Sequence, residues 1–338
     1  MRLLKNQLLP VLALTALWGT ATCAAVAMEP AETESKAAGS NASAKIVAPF
    51  VDAQTLVVAH LDLNAFEPMK TIDWLTGILG LSPRSRDNIQ SQAVPITVIT
   101  QGQPKGQTVS VFIVVSLADV GRLPFFLVLP VDDHTPSIPI ATEVRRELEK
   151  AWNRKVASER VGDALIVGSQ ETIDRLKKGK PVARPEIAAA YNAVGAGGLQ
   201  IAFVPSADVR RLAEALLPEA PKYLGGGATK IFTQGAVWSA ISIDLPPNKI
   251  AARLVIQSAD AAAASALEKE LGTTIDAVAL HPNVKTATPE FAEIAKRLTP
   301  KAVEDQLKIE LSEEKQEITD GIKVLGSLMQ AVMNGAAK

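Results

Sequence analysis

The stretch 199-LQIAFVPSADVRRLAEALL-217 decides the fold. Leu199 to Val204 is short and rich in apolar residues, as a buried strand is, and Pro205-Ser206-Ala207-Asp208 leads directly into a helical pattern. Ser206 is placed to cap that helix, and Asp208 falls in its first turn, where a negative charge suits the dipole. The same join recurs at 252-ARLVIQSADAAAASALEKELG-272. There Ser258 is the expected cap, Asp260 the first-turn acid and Gly272 the expected stop.

Weaker copies of the join precede and follow. Leu56 to Leu63 runs into Asn64 and a helix candidate extending to Leu79, and Leu165 to Gly168 runs into Ser169 and ETIDRLKK. Leu307 to Leu311 is followed by a polar turn, Ser312-Glu313-Glu314-Lys315, and a helix from about Gln316. In that helix Ile318, Ile322, Leu325, Met329 and Val332 recur at helical spacing and form a core-facing stripe. Hairpins are expected between the joins. Val94 to Thr100 and Val109 to Ser116 flank QGQPKGQ, and Ala236 to Leu245 and Lys249 to Gln257 flank Pro246-Pro247-Asn248. Each half then reads strand, helix, hairpin, helix, strand, helix. The expected architecture is α+β, with two similar halves of mixed or antiparallel sheet and packed helices, read as an internal duplication. The halves are 46–182 and 183–338.

Residues 1–27 have the pattern of a secretory signal peptide. Arg2 and Lys5 form a basic start, Leu8 to Trp18 an apolar run, and Ala25-Val26-Ala27 a small-residue cleavage site, so cleavage is expected after Ala27. The apolar run is shorter than the roughly 20 residues of a membrane-spanning helix. Residues 28–45 offer almost nothing to bury and are expected to form a disordered leader. Cys23 is the only cysteine in the chain. A chain cleaved after Ala27 has no thiol, which excludes disulfides, cysteine-ligated metals and cysteine nucleophiles. The expected location is periplasmic or extracellular.

The segment 51-VDAQTLVVAHLDLNAF-66 resembles the openings of secreted hypothetical proteins of the planctomycete type. There a D-x-Q/T-T-L-V-V strand and a D-L-N/S turn follow the signal peptide. The resemblance implies a secreted α+β module and transfers no catalytic residue.

Composition narrows the function further. With 35 Lys and Arg against 36 Asp and Glu, a net charge of −1 and 4 % aromatic residues, the chain lacks the basic surface and stacking rings of a nucleic-acid binder. No phosphate-binding P-loop, helix-borne zinc pair or nucleophile elbow occurs, and Gly195-Ala196-Gly197-Gly198 precedes a strand where a dinucleotide loop would follow one. The histidines are His60, His134 and His281. His60 in VVAHLDL reads as a structural residue and His281 as a turn residue. Asp132-Asp133-His134 follows the strand FFLVLPV at a loop suited to a divalent metal. Leu224-Gly225-Gly226-Gly227-Ala228 reads as a linker. Arg175, Lys177, Lys178 and Lys180 read as a solvated helix end, and Trp152 with Val144 and Leu148 as core. No catalytic, cofactor-binding or metal residue is assigned. The leading expectation is an exported, non-enzymatic binding or scaffolding protein whose partner is a protein or a small apolar ligand. The alternatives are a metal-assisted hydrolase at Asp132-Asp133-His134 and a carrier of an apolar ligand.

Overall fold

The computed structural model describes residues 42–65, 67–78, 110–131, 137–220, 226–245, 249–280, 282–287, 289–312 and 316–321. The chain is α+β, and its chain contacts divide it into two compact units. The first ends at Val204 and takes back Ser242–Lys249, and the second holds Pro205–Ile241 and the chain from Ile250 onward. The boundary expected at 182/183 falls inside the first unit.

In the first unit the strands β1 (Thr55–Asp62), β2 (Ser110–Ser116), β3 (Phe125–Pro130), β4 (Ala157–Val161), β5 (Ala164–Gly168) and β6 (Leu199–Phe203) lie in the order β4-β5-β3-β2-β1-β6. Every pairing between these neighbours is antiparallel. The register sorts the side chains by face, because successive residues of a strand point to opposite sides. Gln200, His60, Phe112, Val128 and Ile166 stand opposite one another across β6, β1, β2, β3 and β5. Their sequence neighbours, among them Leu61, Val111, Ile113, Leu127, Leu129, Leu165 and Val167, form the other face. Ala141, Val144 and Leu148 of a helix at Ser137–Trp152 pack on that second face. The Trp152 side chain lies outside the described residues.

Five helices of this unit fall among the described residues. In order, α1 spans 42–47, α2 Pro68–Ile78, α3 Ser137–Trp152, α4 Gln170–Lys178 and α5 Pro185–Val194. Residues 42–45, expected within the disordered leader, are helical because Ser43 and Ala44 are buried with Val47. Tyr191 of α5 is fully buried and donates its hydroxyl to the Val58 carbonyl at 3.1 Å. Gly168 ends β5 where an added Cβ would sit 2.9 Å from that of Phe126, so the close strand approach there excludes a side chain.

The second unit contains α6 (Ala207–Leu216), α7 (Thr229–Gly235), β7 (Trp238–Asp244), β8 (Ala251–Gln257), α8 (Ala261–Ala279), α9 (Pro282–Ala287), α10 (Phe291–Arg297), β9 (Lys301–Val303), β10 (Gln306–Ser312) and a helical turn, α11, at 317–321. Strand β7 passes out of this unit after Ile241. Its strands lie in the order β7-β8-β10-β9. Leu254 and Ile256 of β8 face Ile309 and Leu307 of β10, and α8 lays Leu267, Leu271, Ile275 and Val278 onto them. Phe291, Ile294 and Leu298 close the core. Gly235 lets α7 approach α8, since an added Cβ would meet that of Leu267 at 2.5 Å.

Chain order repeats. From β1 and again from β6 the chain runs strand, helical segment, two strands, helical segment, two strands, helix. The strand order β2-β3-β5-β4 of the first unit has the connectivity of β7-β8-β10-β9 in the second. The short strands β4 and β9 were not expected from the sequence.

The joins are real, with one displaced cap. Ser206 accepts from the Val209 amide and Ser169 from the Thr172 amide, each as the N-cap of its helix. At the third join the cap is Asp260, whose carboxylate accepts from the Ala263 amide at 2.7 Å. Ser258 is buried and donates to the Gly235 carbonyl at 2.6 Å. Its backbone is still held by the Asp305 carbonyl, so the turn into the helix comes two residues later. Gly272 does not stop α8, because the buried stripe continues through Ile275 and Val278 and outweighs the roughly 1 kcal/mol penalty of a helical glycine. Likewise Asn64 does not cap α2, which starts at Pro68. The segment Val94 to Thr100 lies outside the described residues, and the hairpin partner of β2 is β3. Ile318 is buried as its stripe requires, while Ile322, Leu325, Met329 and Val332 lie outside the described residues.

Asp260→Ala is expected to lower unfolding free energy by about 0.5–2 kcal/mol, measured by reversible denaturant unfolding, through loss of the α8 cap. No change would place the helix start elsewhere.

Candidate functional site

The strongest polar constellation lies on the buried face of β6, β1 and β2. Period-two alternation sends His60 inward, where it is 7 % exposed, and the register sets Gln200 and Phe112 on either side of it. Gln200 donates its amide to the Gly195 carbonyl at 2.8 Å, which turns its oxygen toward the imidazole. That oxygen lies 3.0 Å from His60 Nδ1. An amide oxygen only accepts, so Nδ1 carries the proton and Nε2 is left as an acceptor. The Ser110 hydroxyl, 3.0 Å from Nε2, must then donate. Ser43 of α1 lies 3.5 Å from Nδ1, and Phe112 stacks on the ring at 4.7 Å between centroids.

A fixed Nδ1–H with a serine hydroxyl on Nε2 has the polarity of a serine–general-base pair. Two features set this one apart. The orienting group is a neutral amide and supplies no charge to stabilise an imidazolium. Burial also holds His60 below its usual 6.5, against the opposing effects of the Gln200 hydrogen bond and the Asp62 charge, so the ring is a weak base. The arrangement ties three strands and α1 together through one ring.

A second network closes the ends of the strands. Asp52 accepts from the Gln54 amide and from the hydroxyls of Thr55 and Ser116. Its other oxygen pairs with Arg175, and the same guanidinium reaches Asp119 at 2.8 Å. Asp119 is 0 % exposed and also accepts from Thr172 at 2.7 Å. Arg184 donates to the carbonyls of Asp52, Thr55 and Val204 and pairs with Glu186. It thereby joins the start of β1 to the end of β6. Arg175 is thus no solvated cap, whereas Lys177, Lys178 and Lys180 are exposed as expected.

Sequence reading found His60 as structural but missed Ser110, Gln200, Asp52, Asp119 and Arg184. A signal existed for Gln200, which occupies an inward position of LQIAF. None existed for Asp52 and Arg175, which are 123 residues apart. Asp132, Asp133, His134 and His281 lie outside the described residues, as do Leu224 and Gly225 of the glycine-rich loop. Among the described residues no cluster of three or more His, Cys, Asp or Glu could hold a metal, and no helix is long and apolar enough to cross a membrane.

Replacing Arg175 by Met leaves Asp119 buried without its counter-charge. The loss is expected at about 3 kcal/mol, the lower end for a broken buried pair because Arg175 and Asp52 keep some contact with water. Denaturant unfolding checks it, and a loss under about 1 kcal/mol would mean the pair carries no structural charge.

Stability should also depend on pH through His60. Its folded-state affinity for protons is lowered, so the unfolded chain binds more protons near and below 6.5. The contribution is full above that value and is lost as pH falls below it. Unfolding free energy is expected to fall between about pH 7.5 and about pH 5.5, and His60→Asn to flatten the slope. An unchanged slope in that variant would assign the effect to another group.

Comparison with protein-family models, with curated proteins and with solved structures returned no match to the chain.

Proposed function

We propose that this chain is an exported, non-enzymatic α+β protein that acts by binding or scaffolding, in the periplasm or outside the cell, with a protein or small apolar ligand as its partner. One observation carries the reading. The polar side chains best placed for chemistry are turned on one another: both nitrogens of His60 are engaged by Gln200 and Ser110, and Arg175 and Arg184 are held by Asp52, Asp119 and backbone carbonyls. Groups committed to internal partners stiffen a scaffold and are not free to bind or activate a substrate. We read the scaffold as an internal duplication, which the shared element order and strand connectivity support. Export rests on the pattern of residues 1–27.

The test has two arms. Intact mass of the protein made in a secreting host is expected to show a chain beginning at Met28, and a species retaining residues 1–27 would remove the export reading. Purified residues 28–338 are expected to show no turnover on esterase, phosphatase, peptidase or glycosidase panels, with or without divalent metal. An activity lost in Ser110→Ala, or in the Asp133→Asn, His134→Ala double variant with the fold intact by circular dichroism, would replace this reading with an enzyme.

A further inference from the structure

Helix α6 is amphipathic in a way its own unit does not use. One side is anchored: Arg210 donates to the carbonyls of Pro205 and Val237, and Glu214 accepts from Thr233 of α7. The opposite side carries Leu212 and Leu216, one turn apart, which are 53 % and 70 % exposed, and Leu217 at the helix end is 48 % exposed. None of the helix's ten residues is buried. Exposed leucines in line on a regular helix are a contact surface waiting for a partner.

We propose that the partner is a second copy of this chain, docked through α6 about a two-fold axis with the two helices antiparallel. The stripe is self-complementary in the sense such an axis requires, that residue i meets residue j and j meets i. An axis through the middle of the stripe sets Leu212 against the partner's Leu216, and Leu216 against the partner's Leu212. Ala215, exposed and small, lies beside the axis and allows a close approach. Charge selects the same direction. Arg211 is exposed before the stripe and Glu219 is exposed after it. An antiparallel pair brings each Arg211 toward the partner's Glu219 and opposes the helix dipoles, whereas a parallel pair sets like against like. A contact built on one helix is smaller than the roughly 800 Å² per partner of a standard interface, so the dimer is expected to be concentration-dependent. This goes beyond the binding or scaffolding reading and stands separately from it, because self-association neither requires nor excludes catalysis.

Residues 28–338 in sedimentation equilibrium should pass from monomer to dimer over the micromolar range. Leu212→Glu with Leu216→Glu should raise the dimer dissociation constant at least about tenfold with an unchanged circular dichroism spectrum. Arg211→Glu should weaken the dimer, and adding Glu219→Arg should restore it. The range 28–338 contains no cysteine, so Ala215→Cys is a single-thiol probe. It should form a disulfide-linked dimer faster than Ala266→Cys, an exposed site on α8, and this decides the matter if the leucine variants misfold. A monomer throughout the range, a dimer indifferent to the leucine pair, or equal cross-linking of the two cysteine variants would overturn the proposal. So would a monomer that holds a different macromolecule on α6.

Discussion

A polar side chain inside a close-packed sheet must find its hydrogen bonds there, and the first unit is organised around one case of that constraint. His60 stands in the middle of a row that is otherwise apolar from Phe112 to Ile166. Its two ring nitrogens need two different partners, one accepting and one donating. Gln200 on β6 and Ser110 on β2 supply them, and the Gly195 carbonyl sets the orientation of Gln200. A slip of one residue in either pairing would move the imidazole to the face occupied by Leu61 and Val111, where the observed partners are out of reach. The ring therefore specifies the registers of β1 with both its neighbours.

That constraint also accounts for how the chain divides. Strand β6 opens the second of the two repeated element series, yet it pairs with β1 and belongs to the first unit. Arg184 lies just before α5 and reaches both the start of β1 and the end of β6 through backbone carbonyls. The guanidinium of Arg175 adds the link between the Asp52 turn and the buried Asp119. A boundary drawn from element order and a boundary drawn from contacts thus differ by one helix and one strand.

Local signals in the sequence located the elements well. The strand–Ser–helix joins at 169 and 206 are N-caps because a short hydroxyl one residue before a helix satisfies an amide that nothing else can reach. The join at 258 misled because the deciding bond, from Ser258 to the Gly235 carbonyl, crosses to another helix and is invisible in a local window. Gly272 misled because burial of α8 beyond it is a tertiary effect. The polar networks were the least legible part. Asp52, Asp119 and Arg175 are ordinary surface-type residues in sequence, and folding alone makes them a cluster. The Ser110 partner of His60 could be anticipated only from the register.

The tautomer of His60 is the point on which the structural reading of its polar cluster turns, and nitrogen-15 chemical shifts of its imidazole measure it directly. Proton on Nδ1, a lone pair on Nε2 and a ring still neutral slightly below pH 6.5 is the predicted result. An imidazolium at neutral pH, or a proton on Nε2, would contradict the account, because Gln200 and Ser110 could not then hold the ring as described.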